Sequence, residues 1–458
     1  MLFNSYPFIF AFLPAVLLIY FIFVKYRCFF TAKLWLALSS LFFYGWWNLK
    51  YIPLILLSIL FNYIVGRRLL SAISFRKLLL FFGISANVLL LGYYKYAGFL
   101  IDNWNGLTGS NLPALHLLLP LGISFFTFTQ IAYLVDAYRR QVQEYSMINY
   151  VLFVTFFPHL IAGPILHHKD MMPQFERLRN KVWNWNNVMS GSLLFCIGLS
   201  KKMLIADTLA GYAGSGFANA AQFMDSWIAA LSYTFQIYYD FSGYTDMAIG
   251  IALLFNIRLP QNFNSPYRAT SIQDFWRRWH ITLSQFLRDY IYIPLGGGRR
   301  GFWTAIRNVL ITFIIGGIWH GASWMFIIWG LLHGGGQAVE RIWKRWGKPL
   351  PAQLCWLITF LFINMTWVFF RADNISQATR LLRGMAGMNG LGLSRLTGLA
   401  PVIPILAVLL LVMRVSPNLT WTLSKLRPNW KTALLMALMF MISLLFFNRI
   451  TEFLYFNF

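Results

Sequence analysis

FIFAFLPAVLLIYFIFV, residues 8–24, contains no charged side chain and is apolar on every helical face. A helix made from it has no wet side. About 20 such residues cross the roughly 30 Å hydrocarbon core of a bilayer. Comparable stretches recur at about 34–47, 51–65, 78–94, 115–135, 148–166, 190–206, 224–239, 245–257, 305–319, 324–338, 353–370, 400–413 and 432–447. With 58% apolar and 11% charged residues in 458, and a mean hydropathy of +0.59, the chain lacks the polar surface of a soluble domain. The pattern predicts an all-α polytopic membrane protein with about 11–13 spans, some of them dipping in and returning. It is expected to be one integral domain over 1–458, with N-terminal helices to 145, a core at 146–340 and further helices from 341. The N-terminus has no basic leader and no small-residue cleavage site, so residues 8–24 read as a retained helix.

Lys and Arg number 38 against 14 Asp and Glu. The basic residues fall in short gaps between apolar stretches, as at Arg67, Arg68, Arg76 and Lys77, or Arg139 and Arg140. That is the distribution of cytoplasmic loops, not of a nucleic-acid surface, and no nucleic acid is expected as a partner. Lys25, Arg27 and Lys33 follow the first stretch, which places the N-terminus outside. Cys28, Cys196 and Cys355 lack metal-ligand spacing and read as small core residues.

Residues 258–302 are too polar for an ordinary span. Ser271 and Asp274 fit a capping box, and Phe275, Trp276, Trp279, Leu283, Phe286, Leu287 and Tyr290 follow at helical spacing. On that reading His280 shares a face with Trp276, while Arg277, Arg278 and Arg288 mark an interfacial or cavity-lining helix.

Ionisable groups at membrane depth are expensive and are therefore candidates for function. His280 lies in FWRRWH, His320 in GGIWHG and His333 in WGLLHGG. The glycines around His320 suit an irregular, cavity-lining segment. His333 is nearer to a plain core histidine. His116, His159, His167 and His168 read as loop residues at an interface. Asp240, Tyr244 and Asp246 cluster in YYDFSGYTDMAIG; the two acids are open to an acid–base pair or an ion site, with pairing to arginines of 277–300 the plainer reading. GGGRRG, 296–301, matches G-x-G-x-x-G without the strand that gives it meaning, and reads as a basic turn in which Arg299 and Arg300 are candidates to hold phosphate. No G-x-S-x-G, HExxH, P-loop or HxxxxD box is present, and no metal is expected.

Four segments resemble the membrane-bound O-acyltransferases, in the bacterial branch that includes alginate O-acetyltransferases: FPHLIAGPI at 157–165, YYDFSGYTDMAIG at 238–250, NFNSPYRATSIQDFWRRWHITLSQFLRDYIYIPLGG at 262–297 and GGIWHGASWMFIIWGLLHG at 316–334. The tail EFLYFNF is similar to the ends of such proteins. The resemblance implies a ring of helices around a central tunnel, and His320 and His280 as the family's two catalytic positions. His320 would be the base that takes a hydroxyl proton, and His280 would orient the donor or support the developing charge. Trp276, Arg277, Arg278, Arg299 and Arg300 would bind the donor.

The implied activity is acetyl transfer from a cytoplasmic thioester, acetyl-CoA or an acyl carrier, with no bound cofactor. The acetyl group would cross a bacterial inner membrane to modify an extracytoplasmic polysaccharide, an alginate-like exopolysaccharide or a cell-wall glycan. A periplasmic SGNH-type acetyltransferase and a polysaccharide synthesis and export complex would be partners. D-alanyl transfer to teichoic acid is the alternative within the family, and a transporter or flippase the alternative outside it.

Overall fold

The computed structural model describes residues 1–71, 74–115, 117–142, 146–391, 401–415, 418, 429–447 and 453–454. Among the described residues every regular element is helical and there is no strand. Six helices are long and apolar enough to cross a membrane: Pro7–Lys25, Leu49–Ser71, Arg76–Thr108, Trp185–Asn219, Phe302–His320 and Ala352–Arg371. Phe29–Gly45, Ile403–Val415 and Trp430–Leu445 are shorter apolar helices. The protein is thus a multi-pass membrane protein.

Several of the apolar stretches read from the sequence differ in extent from the helices they form. Stretch 148–166 is broken at Phe156 (φ −50°, ψ 108°), giving helix Met147–Thr155 and a single turn Phe157–Leu160 with Pro158, which has no N–H to continue a helix, near its start. Stretches 224–239 and 245–257 are instead one helix, Phe223–Leu254. Asp240 lies in its middle, and the polar character that suggested an interruption is neutralised in place.

That neutralisation comes from Lys202, whose Nζ lies 2.7 Å from both Asp207 Oδ1 and Asp240 Oδ1. The other oxygen of Asp240 accepts the backbone N–H of Leu454 at 2.9 Å. All three side chains are buried. The expected pairing of Asp240 with an arginine of 277–300 is therefore incorrect: lysine from the apolar helix Trp185–Asn219 takes that place.

The chain divides into two compact units. The first comprises Met1–Gly198 with Tyr244–Pro260. Its core is a cluster of Phe3, Phe8, Phe12, Phe43 and Phe157 rings, and Tyr244 stacks on Phe3 at 4.9 Å. Among the apolar helices, Asn62, Asn87 and Gln130 satisfy one another: Asn62 Nδ2 donates to the oxygens of Asn87 and Gln130, and Asn87 Nδ2 donates back to Asn62. His159 and His168 are buried in this unit, not exposed on loops, and His168 packs against Tyr133 and Phe153. His167 lies 3.6 Å from Asp136; His116 lies outside the described residues. Cys196 is buried as expected, but Cys28 is exposed.

The second unit, Leu199–Gly243 with Gln261–Leu454, holds the lysine triad and the helical pair Phe302–His320 and Trp324–Trp346. Removing one partner of a buried ion cluster leaves uncompensated charge. Lys202→Met is expected to destabilise the protein by about 3–5 kcal/mol, and Lys202→Met/Asp240→Asn to recover part of that loss. Melting of the detergent-solubilised variants checks both.

Candidate active site

Helix Ile272–Arg278 starts on Ser271, whose Oγ accepts the N–H of Asp274 at 3.0 Å, as the capping pattern predicted. It does not run on through residue 290. Trp279 is extended (φ −103°, ψ 130°) and His280 adopts the left-handed region (φ 41°, ψ 54°) before a second helix, Ile281–Leu287, and a π-helical turn, Arg288–Tyr292. The expectation that His280 shares a helical face with Trp276 is therefore overturned. The aromatic spacing persists on either side of a break that spacing alone does not reveal.

A left-handed non-glycine residue costs of order 1–3 kcal/mol and persists only where its surroundings over-determine it. Here they do. Ile281 N–H donates to the Asn262 carbonyl at 3.0 Å, and Asn264 N–H donates to the Arg278 carbonyl at 2.9 Å. Asn262 Oδ1 accepts from Thr282 N–H at 3.2 Å and from Thr282 Oγ1 at 3.0 Å, and lies 3.2 Å from His280 Nδ1. The backbone donor fixes which end of the amide is oxygen, so His280 Nδ1 carries the proton and donates. Nε2 then holds the lone pair: the neutral imidazole accepts a proton there.

His320 ends helix Phe302–His320, and Gly321 turns the chain into extended backbone (φ −171°, ψ 159°). The helix crosses Trp324–Trp346 at backbone distance. A Cβ on Gly317 would lie 2.3 Å from the Phe326 carbonyl oxygen, and one on Gly330 would lie 2.4 Å from that of Phe313. Only hydrogen fits at either position. The crossing brings Trp329 to His320, ring centroids 5.0 Å apart, with Phe326 and Phe370 on other sides. His320 and His280 both pack against Trp319, at 5.0 and 6.2 Å.

His333 lies one helical turn beyond Trp329, with their rings 4.6 Å apart. Its Nδ1 accepts from Trp276 Nε1 at 3.1 Å, so its proton is on Nε2. Among the described residues no acceptor meets that Nε2, nor the indole N–H groups of Trp329 and Trp367, all of them buried. Trp367 lies 6.1 Å from Trp329 and 6.4 Å from His333. Buried donors without acceptors are costly, so their concentration beside His320 marks a place suited to an oxygen-bearing ligand.

A cavity of about 340 Å³ opens next to this cluster. Trp276 forms part of its wall, and Arg277, Arg288 and Arg341 line it together with Gln273, Gln285 and Gln337. Trp276 therefore has one face in the cavity and its N–H on His333. Neither His280 nor His320 lines the cavity; Trp276 and Trp329, rings 5.7 Å apart, stand between it and His320.

Of the residues singled out in the sequence, His280, His320, His333, Trp276 and Arg277 thus come together. Arg278 does not join them, because both its bonds at Nε go to Asp274 (2.9 and 3.0 Å). Arg299 and Arg300 lie in a turn with Gly296, Gly297 and Gly301 at positive φ, exposed and outside the cavity wall. Asp240 is held by Lys202, and Tyr244 and Asp246 belong to the first unit. Arg288, read from the sequence as part of an interfacial or cavity-lining helix, does line the cavity, whereas Arg341 and Asn262 were missed as site residues. Arg341 falls in an ordinary basic helix end, and Asn262 has no signal beyond its place in the NFNSP segment. No group of His, Cys, Asp and Glu with metal-binding geometry occurs among the described residues.

The family model of the membrane-bound O-acyltransferases matches residues 77–376. The chain is 50% identical over 419 residues to a peptidoglycan O-acetyltransferase of Helicobacter pylori, covering 84% of this chain and 80% of that protein. It is 42% identical over 398 residues to a probable alginate O-acetylase of Pseudomonas aeruginosa, covering 84% and 75%. A teichoic acid D-alanyltransferase of Bacillus subtilis is 28% identical over 285 residues, covering 56% and 70%.

Asn262→Ala removes the acceptor shared by Thr282 and His280, an expected cost of about 1–3 kcal/mol. His280→Ala should add little to it, because the two act through one hydrogen-bond group. A double-mutant cycle on melting temperature measures the coupling.

Proposed function

The chain belongs to the membrane-bound O-acyltransferase family, and on that footing we propose that it moves acetyl from a cytoplasmic thioester through the inner membrane for O-acetylation of an extracytoplasmic polysaccharide. It is an O-acyltransferase; the acetyl group, the donor, the direction and the acceptor are the proposal. The observation that carries it is that His280 and His320, distant in sequence, pack on the same indole, Trp319, beside buried N–H donors that lack an acceptor. Acetyl is favoured because the relatives named for O-acetylation match far more of the chain than the D-alanyltransferase does. Family membership sets the transporter reading aside.

The donor's phosphates sit against Arg277 and Arg341, since guanidinium groups pair with phosphate oxygens in forked geometry; Arg288, on the same wall, already forks onto Asp289 at 2.7 and 3.0 Å. The acyl end passes Trp276 to reach the histidines. His320 takes the proton of the attacking hydroxyl as its oxygen bonds to the thioester carbon. The carbonyl oxygen gains negative charge, the C–S bond breaks, and the thiolate leaves with the proton from the imidazole. With its Nδ1–H committed to Asn262, neutral His280 accepts instead of donating, so it orients the hydroxyl or shares its proton. Trp329 Nε1–H supplies the hydrogen bond to the developing oxyanion that the resemblance had given to His280.

The N-terminus lies in the periplasm, where an SGNH-type acetyltransferase and the polysaccharide export machinery receive the group. The glycan is an alginate-like exopolymer or a cell-wall polymer. The basic loops noted above support this orientation.

With labelled acetyl-CoA and the partner supplied, His320→Ala is expected to reach the membrane normally and to lose transfer by roughly 10²–10⁴-fold. Transfer at the normal rate by that variant would overturn the assignment. Trp329→Phe keeps the ring and removes the donor; kcat should fall about 10²-fold with little change in KM. Arg277→Ala should instead raise KM for the donor and leave kcat nearly unchanged.

A further inference from the structure

A second cavity, of about 310 Å³, lies wholly within the first unit and has no part in the chemistry above. Three arginines line it, Arg177, Arg179 and Arg258, and no carboxylate does. Among the described residues none of the three guanidinium groups has an acidic partner, although Glu176 is next in sequence to Arg177. Glu176 is engaged elsewhere: it accepts from Lys33 Nζ at 2.7 Å and from Asn149 Nδ2 at 2.8 Å.

The walls are built rather than loose. Asn256, buried and left-handed (φ 60°), donates from Nδ2 to the carbonyls of Asn180 (3.0 Å) and Val182 (2.7 Å), and its Oδ1 accepts from Asn187 Nδ2 at 2.7 Å. Gln174 holds residue 258 from both sides of its side-chain amide, accepting Arg258 N–H at 2.8 Å and donating to the Arg258 carbonyl at 3.0 Å. Every amide in this network faces a neighbouring backbone group or amide, which leaves the arginines as the groups presented to a ligand.

Position in the bilayer identifies the ligand. The cavity borders the start of the apolar helix Trp185–Asn219, where a span meets the headgroup layer. Beside it Leu178, Val182, Trp183 and Trp185 are 69%, 55%, 45% and 73% exposed. Exposed tryptophans at a span end belong at the headgroup level, and basic pockets at that depth take lipid phosphates. The positive end of the helix adds to the field.

We propose that this cavity is a binding site for the phosphate headgroup of an anionic phospholipid, with Arg177, Arg179 and Arg258 on the phosphate and Trp183 and Trp185 against the acyl chains. At about 1 kcal/mol for each basic residue near an anionic surface, loss of all three corresponds to roughly a hundredfold weaker binding.

The test uses the purified full chain in detergent, with binding followed by native mass spectrometry and thermal shift. Phosphatidylglycerol should bind and raise the melting temperature, and phosphatidylcholine should not. Arg177→Gln/Arg179→Gln/Arg258→Gln should bind phosphatidylglycerol roughly a hundredfold more weakly while melting normally without lipid. Should that triple variant not fold, Arg179→Gln alone and Trp183→Ala/Trp185→Ala carry the test, each expected to weaken the lipid response. Equal responses to the two lipids would overturn the proposal, as would unchanged phosphatidylglycerol binding by the variants. Inorganic phosphate or coenzyme A producing the same arginine-dependent shift without lipid would assign the cavity to a soluble phosphate compound and overturn it equally.

Discussion

Where helix Phe302–His320 crosses helix Trp324–Trp346, Gly317 and Gly330 let the backbones meet at a distance no side chain permits. The position of His320 depends on that crossing. Helices in an apolar solvent gain little from burying leucine against leucine, so close backbone approach and the dispersion contacts it allows are what holds them together. The approach delivers Trp329 and His333 to the end of the neighbouring helix, and Gly321 ends that helix just after the imidazole. A methyl group at either glycine would have to push the helices apart, and the aromatic wall around His320 would open with them.

A second constraint is that polar groups taken from water must find partners. Among the described residues several do so across helices and segments: Lys202 between two aspartates, the Asn62, Asn87 and Gln130 set, and the loop at Asn262 and Asn264 that closes the break at His280. The N–H groups of Trp329, His333 and Trp367, buried without an acceptor among the described residues, lie together. Their grouping at Trp329, which packs on His320, beside an arginine-lined cavity suits a carbonyl-bearing, phosphate-bearing substrate. The anionic-lipid cavity follows the same logic at the interface, where arginines are supplied without acids.

Much of this was legible in the sequence because membrane burial writes itself in long apolar runs and because few polar residues survive within them. The class of the fold and the cap at Ser271 came from those signals, and the candidacy of His280 and His320 came from the matched segments. What stayed hidden is tertiary. The helix Phe223–Leu254 looked broken because Asp240 and its neighbours read as a polar interruption, and the lysine that neutralises it sits 38 positions earlier in an apolar span (240 − 202). The break at His280 was invisible because aromatic spacing continues across it; its cause, the carbonyl and amide of Asn262, lies on another segment. Arg341 carries no local mark of the cavity it lines. Arg278 looked equal to Arg277, but a helix turn gives it Asp274 as a partner and gives Arg277 the open space.

Transfer at His320 requires that an acyl group entering by the arginine-lined cavity reach that imidazole. A structure of the protein bound to a thioether analogue of acetyl-CoA measures this directly. The proposed mechanism requires the phosphates on Arg277 and Arg341, the Trp276 ring moved aside, and the acetyl carbonyl within hydrogen-bond distance of Trp329 Nε1 and next to the His320 imidazole. An analogue bound with its acetyl end remote from both histidines, and with Trp276 still closed against His333, would contradict it.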